Sequence, residues 1–185
     1  MVMQENLKPI KLSKKALNII RTTSRNNVEL VNIADNKANI LLSINGIMFT
    51  ALIPMLFSYQ EIIVSEHLYI PLIVLASTLV MTIILCSTVL RPTDLNSMNI
   101  EKQAGMKYSP FFFENFHNID SVDYIPFVKE SLKNKDQLIE YILQDHYLVG
   151  RNLGRKYVLM KKAFQTFVAG VAISIALTII VLAFF

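Results

Sequence analysis

The chain has no tryptophan, one cysteine, five glycines and six prolines among its 185 residues. A single cysteine, Cys86, excludes an internal disulfide. So few glycines leave no Gly-x-Gly-x-x-Gly loop, no P-loop and no nucleophile elbow. The three histidines, His67, His117 and His146, lie far apart, and no pair has the usual spacing of metal ligands. No enzyme activity, metal site or resident cofactor is therefore expected. The most telling absence is of charge: residues 38–59, 68–90 and 163–185 contain no Asp, Glu, Lys or Arg.

Each uncharged run holds 22 or 23 residues. A helix of that length reaches about 33 Å, enough to cross a hydrocarbon layer of about 30 Å. The chain thus reads as an all-α membrane protein with three transmembrane helices. The 18 Lys and Arg residues fall before the first run (Lys8, Lys11, Lys14, Lys15, Arg21, Arg25, Lys37) or between 91 and 162, and the 60–67 connection carries Glu61 and Glu66 with no cation. The positive-inside rule then places the N-terminus and the 91–162 segment in the cytoplasm and the C-terminus outside. The first apolar run begins too late for a cleavable signal. The basic arm is explained by topology and anionic lipid, so no nucleic-acid partner is expected.

Four segments follow: a cytosolic arm and helix (1–37), a transmembrane hairpin (38–90, with spans 38–59 and 68–90), a cytosolic helical segment (91–162) and a third span (163–185). From about Lys14, residues Leu17, Ile20, Ser24, Asn27, Val31, Ala34 and Ala38 recur at three- and four-residue steps, predicting one helix that runs from cytosol into bilayer. A second stripe, Leu138, Ile142, Val149, Leu153, Tyr157, Met160 and Phe164, passing Asp145-His146 at the intervening step, predicts the same continuity into the third span. Long helical extensions on the first and third spans are the consequence. Asp120 to Asp123 reads as a helix start with Pro126 in its first turn, and Asp136 as a cap for the next helix. Gly150 and Gly154 offer a small-residue face. Four phenylalanines, Phe111, Phe112, Phe113 and Phe116, suggest a core plug, an interfacial anchor or a base-stacking platform.

Within the first span Asn45 is the costly residue, since an amide in hydrocarbon needs a partner, and Gly46 beside it admits a close neighbour. Both are candidates for packing between helices or for lining a pore. Near the membrane boundary, Asp35-Asn36-Lys37-Ala38 lies below the first span, and Arg151, Asn152, Arg155 and Lys156 lie below the third. Such clusters either snorkel to the interface or cup an anion such as a phosphate.

Asp35-Asn36-Lys37-Ala38 followed by Asn39-Ile40-Leu41-Leu42-Ser43-Ile44-Asn45-Gly46 resembles the Asp-x-Lys-Ala signature and polar-interrupted span of the membrane effectors of bacterial Pycsar antiphage systems. The Arg91-Pro92 exit, the phenylalanine segment with Asn115, Asp123-Tyr124, and Tyr147 leading to Arg155-Lys156-Tyr157 follow in that family's order. The resemblance implies a functional link to a pyrimidine nucleotide cyclase, activation by cyclic CMP or cyclic UMP, and loss of inner-membrane integrity leading to abortive infection. It carries no motif assigned to nucleotide contact. For the cyclic pyrimidine mononucleotide, the residues themselves suggest Lys37, Arg151, Arg155 and Lys156 at the phosphate and Phe112 or Tyr147 stacked on the base. The expected partners are the lipid bilayer and further copies of the chain, in a homo-oligomer that opens a pore or perforates the bilayer. The alternative is a constitutive membrane scaffold or anchor that docks a cytosolic partner protein.

Overall fold

A computed structural model describes residues 13–92, 109–117 and 119–184. The expected N-terminal arm and the segment that follows Pro92 lie mostly outside these residues. Six helices follow in order: α1 (Lys14–Ser58), α2 (Gln60–Ser65), α3 (Tyr69–Leu90), α4 (Phe113–Phe116), α5 (Ser121–Lys133) and α6 (Lys135–Phe184). No strand occurs among the described residues. The three helices α1, α3 and α6 are long and apolar enough to cross a membrane.

At 45 and 50 residues, α1 and α6 are about twice the length of α3, which has 22. At about 1.5 Å per residue each greatly exceeds the bilayer core, so each projects far beyond it. The start of α1 is fixed by Ser13, whose Oγ accepts the Ala16 N–H at 3.2 Å. The start of α6 is fixed by Asn134, not by the expected Asp136: Asn134 Oδ1 accepts from the backbone N–H of Asp136 and of Gln137, both at 3.2 Å. In α5, Pro126 lies in the second turn and not the first, because the helix already begins at Ser121. The short α2 ends with His67 at φ 52°, and the Leu68 N–H to Ile63 and His67 N–H to Val64 bonds close the turn into α3.

The chain divides into two compact units, and α1 and α6 contribute to both. One unit takes Val31–Pro92 and Gly154–Phe185. Its centre is Leu41, Cys86 and Ala163, with Leu42, Leu85, Met160 and Phe167 packed around them. The Asp35 to Lys156 bond and the Leu41–Ala163 packing make α1 and α6 parallel, whereas Ser174 to Pro71 and Gly170 beside Thr78 make α3 antiparallel to α6. Small residues carry the closest approaches. A Cβ on Gly170 would overlap the Thr78 side chain, and Ser174 Oγ donates to the Pro71 carbonyl at 3.0 Å. Ile40 and Ile47, 62% and 72% exposed, face outward as lipid-facing residues should.

The other unit takes the described residues of Met1–Leu30 and Thr93–Leu153. Here Ile20, Ser24 and Asn27 of α1 form the less exposed face, as their spacing predicts, and Leu17 is exposed. Tyr141 and Leu148 of α6 and Ser109, Pro110 and Ser131 are buried. The phenylalanines form no core plug: Phe111 and Phe113 are exposed, and Phe112 and Phe116 are half-buried. Phe113 meets Phe116 edge-on and stacks on His117, and Phe116 lies against Tyr124.

The stripe expected on α6 holds in part: Leu138, Ile142, Val149, Leu153 and Met160 are half-buried. Tyr157 and Phe164 are exposed, and beside the stripe Tyr141, Leu148, Lys156 and Ala163 are buried and Asp145 and Asn152 half-buried. Half of these added positions are polar or charged, so the inward face of α6 is wider than its apolar stripe and carries a polar line beside it. Gly150 and Gly154 do not form a close-approach pair either. A Cβ at Gly150 would make ordinary contact with Asn27, and at Gly154 nothing lies within 4 Å.

Candidate functional site

Polar side chains on the inward faces of α1 and α6 are the unusual feature of both units. In the unit built on Val31–Pro92 and Gly154–Phe185, Lys156 Nζ donates to Asp35 Oδ1 at 2.6 Å and to Oδ2 at 2.8 Å. The lysine side chain is 9% exposed and the aspartate side chain 29%, so the pair is largely shielded on the lysine side and open to water on the other. Taking an ammonium out of water is expensive unless a carboxylate meets it. The bidentate geometry supplies that partner. In the same unit Asn45 is fully buried; its Nδ2 donates to the Leu41 carbonyl of its own helix at 2.7 Å, and Oδ1 has no partner.

In the unit built on Met1–Leu30 and Thr93–Leu153, Ser24 Oγ and His146 Nδ1 are hydrogen-bonded at 2.8 Å. Ser109 Oγ donates to Asp145 Oδ2 at 2.9 Å, and the Phe111 N–H reaches back to Ser109 Oγ at 3.3 Å. Asn115 Nδ2 donates to the Ser109 carbonyl at 3.0 Å, which fixes the turn ahead of α4. Burial raises the Asp145 carboxyl to about 6, opposed by the Ser109 bond, which favours the charged form. Two oxygens, Asp145 Oδ1 and Asn152 Oδ1, are buried without a partner. Unfilled acceptors two turns apart on one face of α6 suit a group rich in N–H or O–H donors.

The residues expected at a ligand site fall in both units. Phe112, Tyr147 and Arg151 belong to one, and Lys37, Arg155 and Lys156 to the other. Tyr147, Arg151 and Arg155 recur at four-residue steps along one face of α6 and are exposed, so their side chains are free to meet solvent or a ligand. Phe112 is half-buried at the start of α4, and Lys37 is exposed on α1. Lys156 is occupied by Asp35. Of the two membrane candidates, Asn45 faces inward and Gly46 faces outward, with nothing within 4 Å of an added Cβ.

Asp145 and Ser109 were not singled out as site residues from sequence, and Asn152 only as a member of the cluster below the third span. Their signal was available for α6: Asp145 and Asn152 are seven residues apart, the repeat of a helix seam, where a polar residue is costly. No group of three His, Cys, Asp or Glu close enough to hold a metal ion occurs among the described residues.

The comparison with curated proteins and that with solved structures found no match. The comparison with family models matched residues 18–184 to the Pycsar effector protein domain. That match takes in nearly all of the three helices long and apolar enough to cross a membrane, together with the Asp35–Lys156 pair and the Asp145 cluster, and the chain therefore belongs to the Pycsar effector family.

Proposed function

We propose that the chain is a ligand-gated membrane effector of antiphage defence. A cyclic pyrimidine nucleotide, cyclic CMP or cyclic UMP, supplied by a pyrimidine cyclase, binds the non-spanning helices on the cytosolic side. An oligomer of the chain then opens the inner membrane, and the infected cell dies before phage matures. Family membership supports the defence role, and three membrane-crossing helices support the target.

The observation that carries the gating step is continuity. Both α1 and α6 are single helices from their polar ends into their spans. A change in packing at one end moves the other without passing through a joint. In this reading the ligand phosphate meets Arg151 and Arg155 and the base stacks on Tyr147, all on one exposed face of α6. Lys156 acts through Asp35 instead of touching the phosphate. To move a closed population from 99:1 to 1:99 the ligand must favour the open state by about 5.5 kcal/mol, a sum within reach of a few charge-assisted contacts repeated over several copies.

Dye release from liposomes that contain the protein tests the proposal, with cyclic CMP, cyclic UMP, cyclic AMP and no nucleotide in parallel. Release with one cyclic pyrimidine nucleotide alone is the expected result. Release indifferent to all of them sinks the gating and leaves a constitutive scaffold as the better reading. Arg151→Ala with Arg155→Ala should weaken nucleotide binding, and unchanged binding would remove these residues from the site.

A further inference from the structure

The first helix carries two seams, of which the chain fills only one. Residues Val31, Ala34, Ala38, Leu41, Asn45, Met48 and Leu52 follow alternating steps of three and four and form the less exposed face of α1. A second series, Asn32, Asn36, Asn39, Ser43, Gly46 and Thr50, keeps the same alternation and is exposed throughout. On a helix wound at seven residues per two turns the second series lies on the far side from the first. Every member is polar or glycine. The apolar residues of this region that are fit to meet lipid, Ile40 and Ile47, flank it.

Asn39, Ser43, Gly46 and Thr50 stand within the uncharged run 38–59. Ser43 and Thr50 spend their hydroxyl protons on the Asn39 and Gly46 carbonyls, at 2.9 Å and 2.8 Å, and keep their oxygens as acceptors. The Asn39 side chain has no hydrogen-bond partner among the described residues. Hydrocarbon offers such groups nothing, so helices bury them against other helices. At Gly46 the surface is notched, with no atom of the chain within 4 Å of an added Cβ.

We infer that this stripe is the contact between copies of the chain, with α1 of one copy parallel to α1 of the next. A second copy is the occupant that the chemistry favours. An asparagine amide is both donor and acceptor, so Asn39 meeting its own counterpart is self-complementary. Read backward along the sequence, the same spacing reaches Glu29 and Arg25, opposite charges that are both exposed and form no ion pair with each other. In parallel copies the Arg25 of one helix meets the Glu29 of its neighbour, which fixes the register. The inference rests on the reading of the chain as an oligomeric membrane effector and gives that oligomer its face.

Cysteine cross-linking in membranes tests it. In a Cys86→Ser background, Ser43→Cys, Gly46→Cys and Thr50→Cys are each compared with Ile40→Cys, Ile44→Cys and Ile47→Cys after oxidation, without nucleotide. The expected result is a shift to the dimer mass on non-reducing gels at 43, 46 and 50, and little shift at 40, 44 and 47. Equal dimer at all six positions, dimer at the isoleucines alone, or dimer at none overturns the inference. Gly46→Leu added to Ser43→Cys should abolish the dimer while the chain stays in the membrane fraction; an undiminished dimer overturns it as well. Dye release measured on the same membranes separates the two readings. Periodic cross-links with release indifferent to nucleotide sink only the gating, and nucleotide-dependent release without periodic cross-links sinks only this seam.

Discussion

Lys156 Nζ bonds both carboxylate oxygens of Asp35, at 2.6 Å and 2.8 Å, and so ties α1 to α6 a few residues before the uncharged run of each. Among the described residues Asp35 is the one ion-pair partner of this buried lysine. Removing Asp35 strands the ammonium, whereas removing Lys156 leaves a carboxylate that water still reaches.

Asp35→Ala should therefore destabilise the protein more than Lys156→Ala. With one partner shielded and the other partly exposed, the loss for Asp35→Ala should fall between the surface and buried limits, roughly 1–4 kcal/mol. Lys156→Met, which keeps the length and removes the charge, should recover much of the loss in the Asp35→Ala background. Thermal unfolding in detergent of the two single variants and the double variant measures this. A double variant no better than Asp35→Ala would mean that the stranded charge is not the cause.

The glycines make an opposite pair. At Gly170 a Cβ would overlap the Thr78 side chain, whereas at Gly154 nothing lies within 4 Å. Gly170→Ala should force the helices apart at a cost of about 1–3 kcal/mol, and Thr78→Ala should restore most of it by vacating the space. Gly154→Ala should stabilise by up to about 1 kcal/mol through helix propensity alone. Unfolding curves of the three variants decide the point; a destabilised Gly154→Ala would reveal a neighbour at that position, such as a second copy.

Much of this fold was legible in the sequence, because bilayer thickness and charge exclusion act on every residue of a span. The absence of charge from 38–59, 68–90 and 163–185 was enough to find the three spans, and the spacing from Ile20 to Ala38 was enough to find the inward face of α1. The apolar stripe of α6 found only part of the inward face, because Asn152 and Lys156 turn inward beside it, where a hydrophobic pattern cannot announce them. The partners of Asp145 and Lys156, Ser109 and Asp35, are 36 and 121 residues away in the chain, and no local spacing encodes such a pairing. Gly170 left a fainter trace: Ala163, Gly170 and Ser174 form a line of small residues at helical spacing.

Asp145 gives the protein a pH dependence. Its carboxyl is raised from 3.8 to about 6 by burial, with the Ser109 bond acting the other way. The folded state therefore holds the proton more tightly than the unfolded chain. The stability this contributes is complete below about pH 4 and is lost as pH rises through 6. Because the group is partly open to water, the loss should be roughly 1–2 kcal/mol. Asp145→Asn should flatten that slope and be the more stable protein at neutral pH, and Ser109→Ala should move the midpoint upward. Unfolding followed across this range tests all three; a wild-type profile that climbs with pH would reverse the assignment.

Asn45 separates stability from function. Its amide is fully buried with Oδ1 unpaired, and its Nδ2 bonds a carbonyl that its own helix already uses. Asn45→Leu fills similar space without an orphaned acceptor and should raise stability by roughly 1–2 kcal/mol. A costly residue kept at a seam position is expected to serve the alternative packing of the helices, in which Oδ1 gains a donor when α1 shifts. The variant should then hold its closed packing more firmly and release less dye at any nucleotide concentration, although it unfolds at a higher temperature. Higher stability with unaltered release would show that the amide has no part in opening, and lower stability would show that Oδ1 is already bonded in the closed protein.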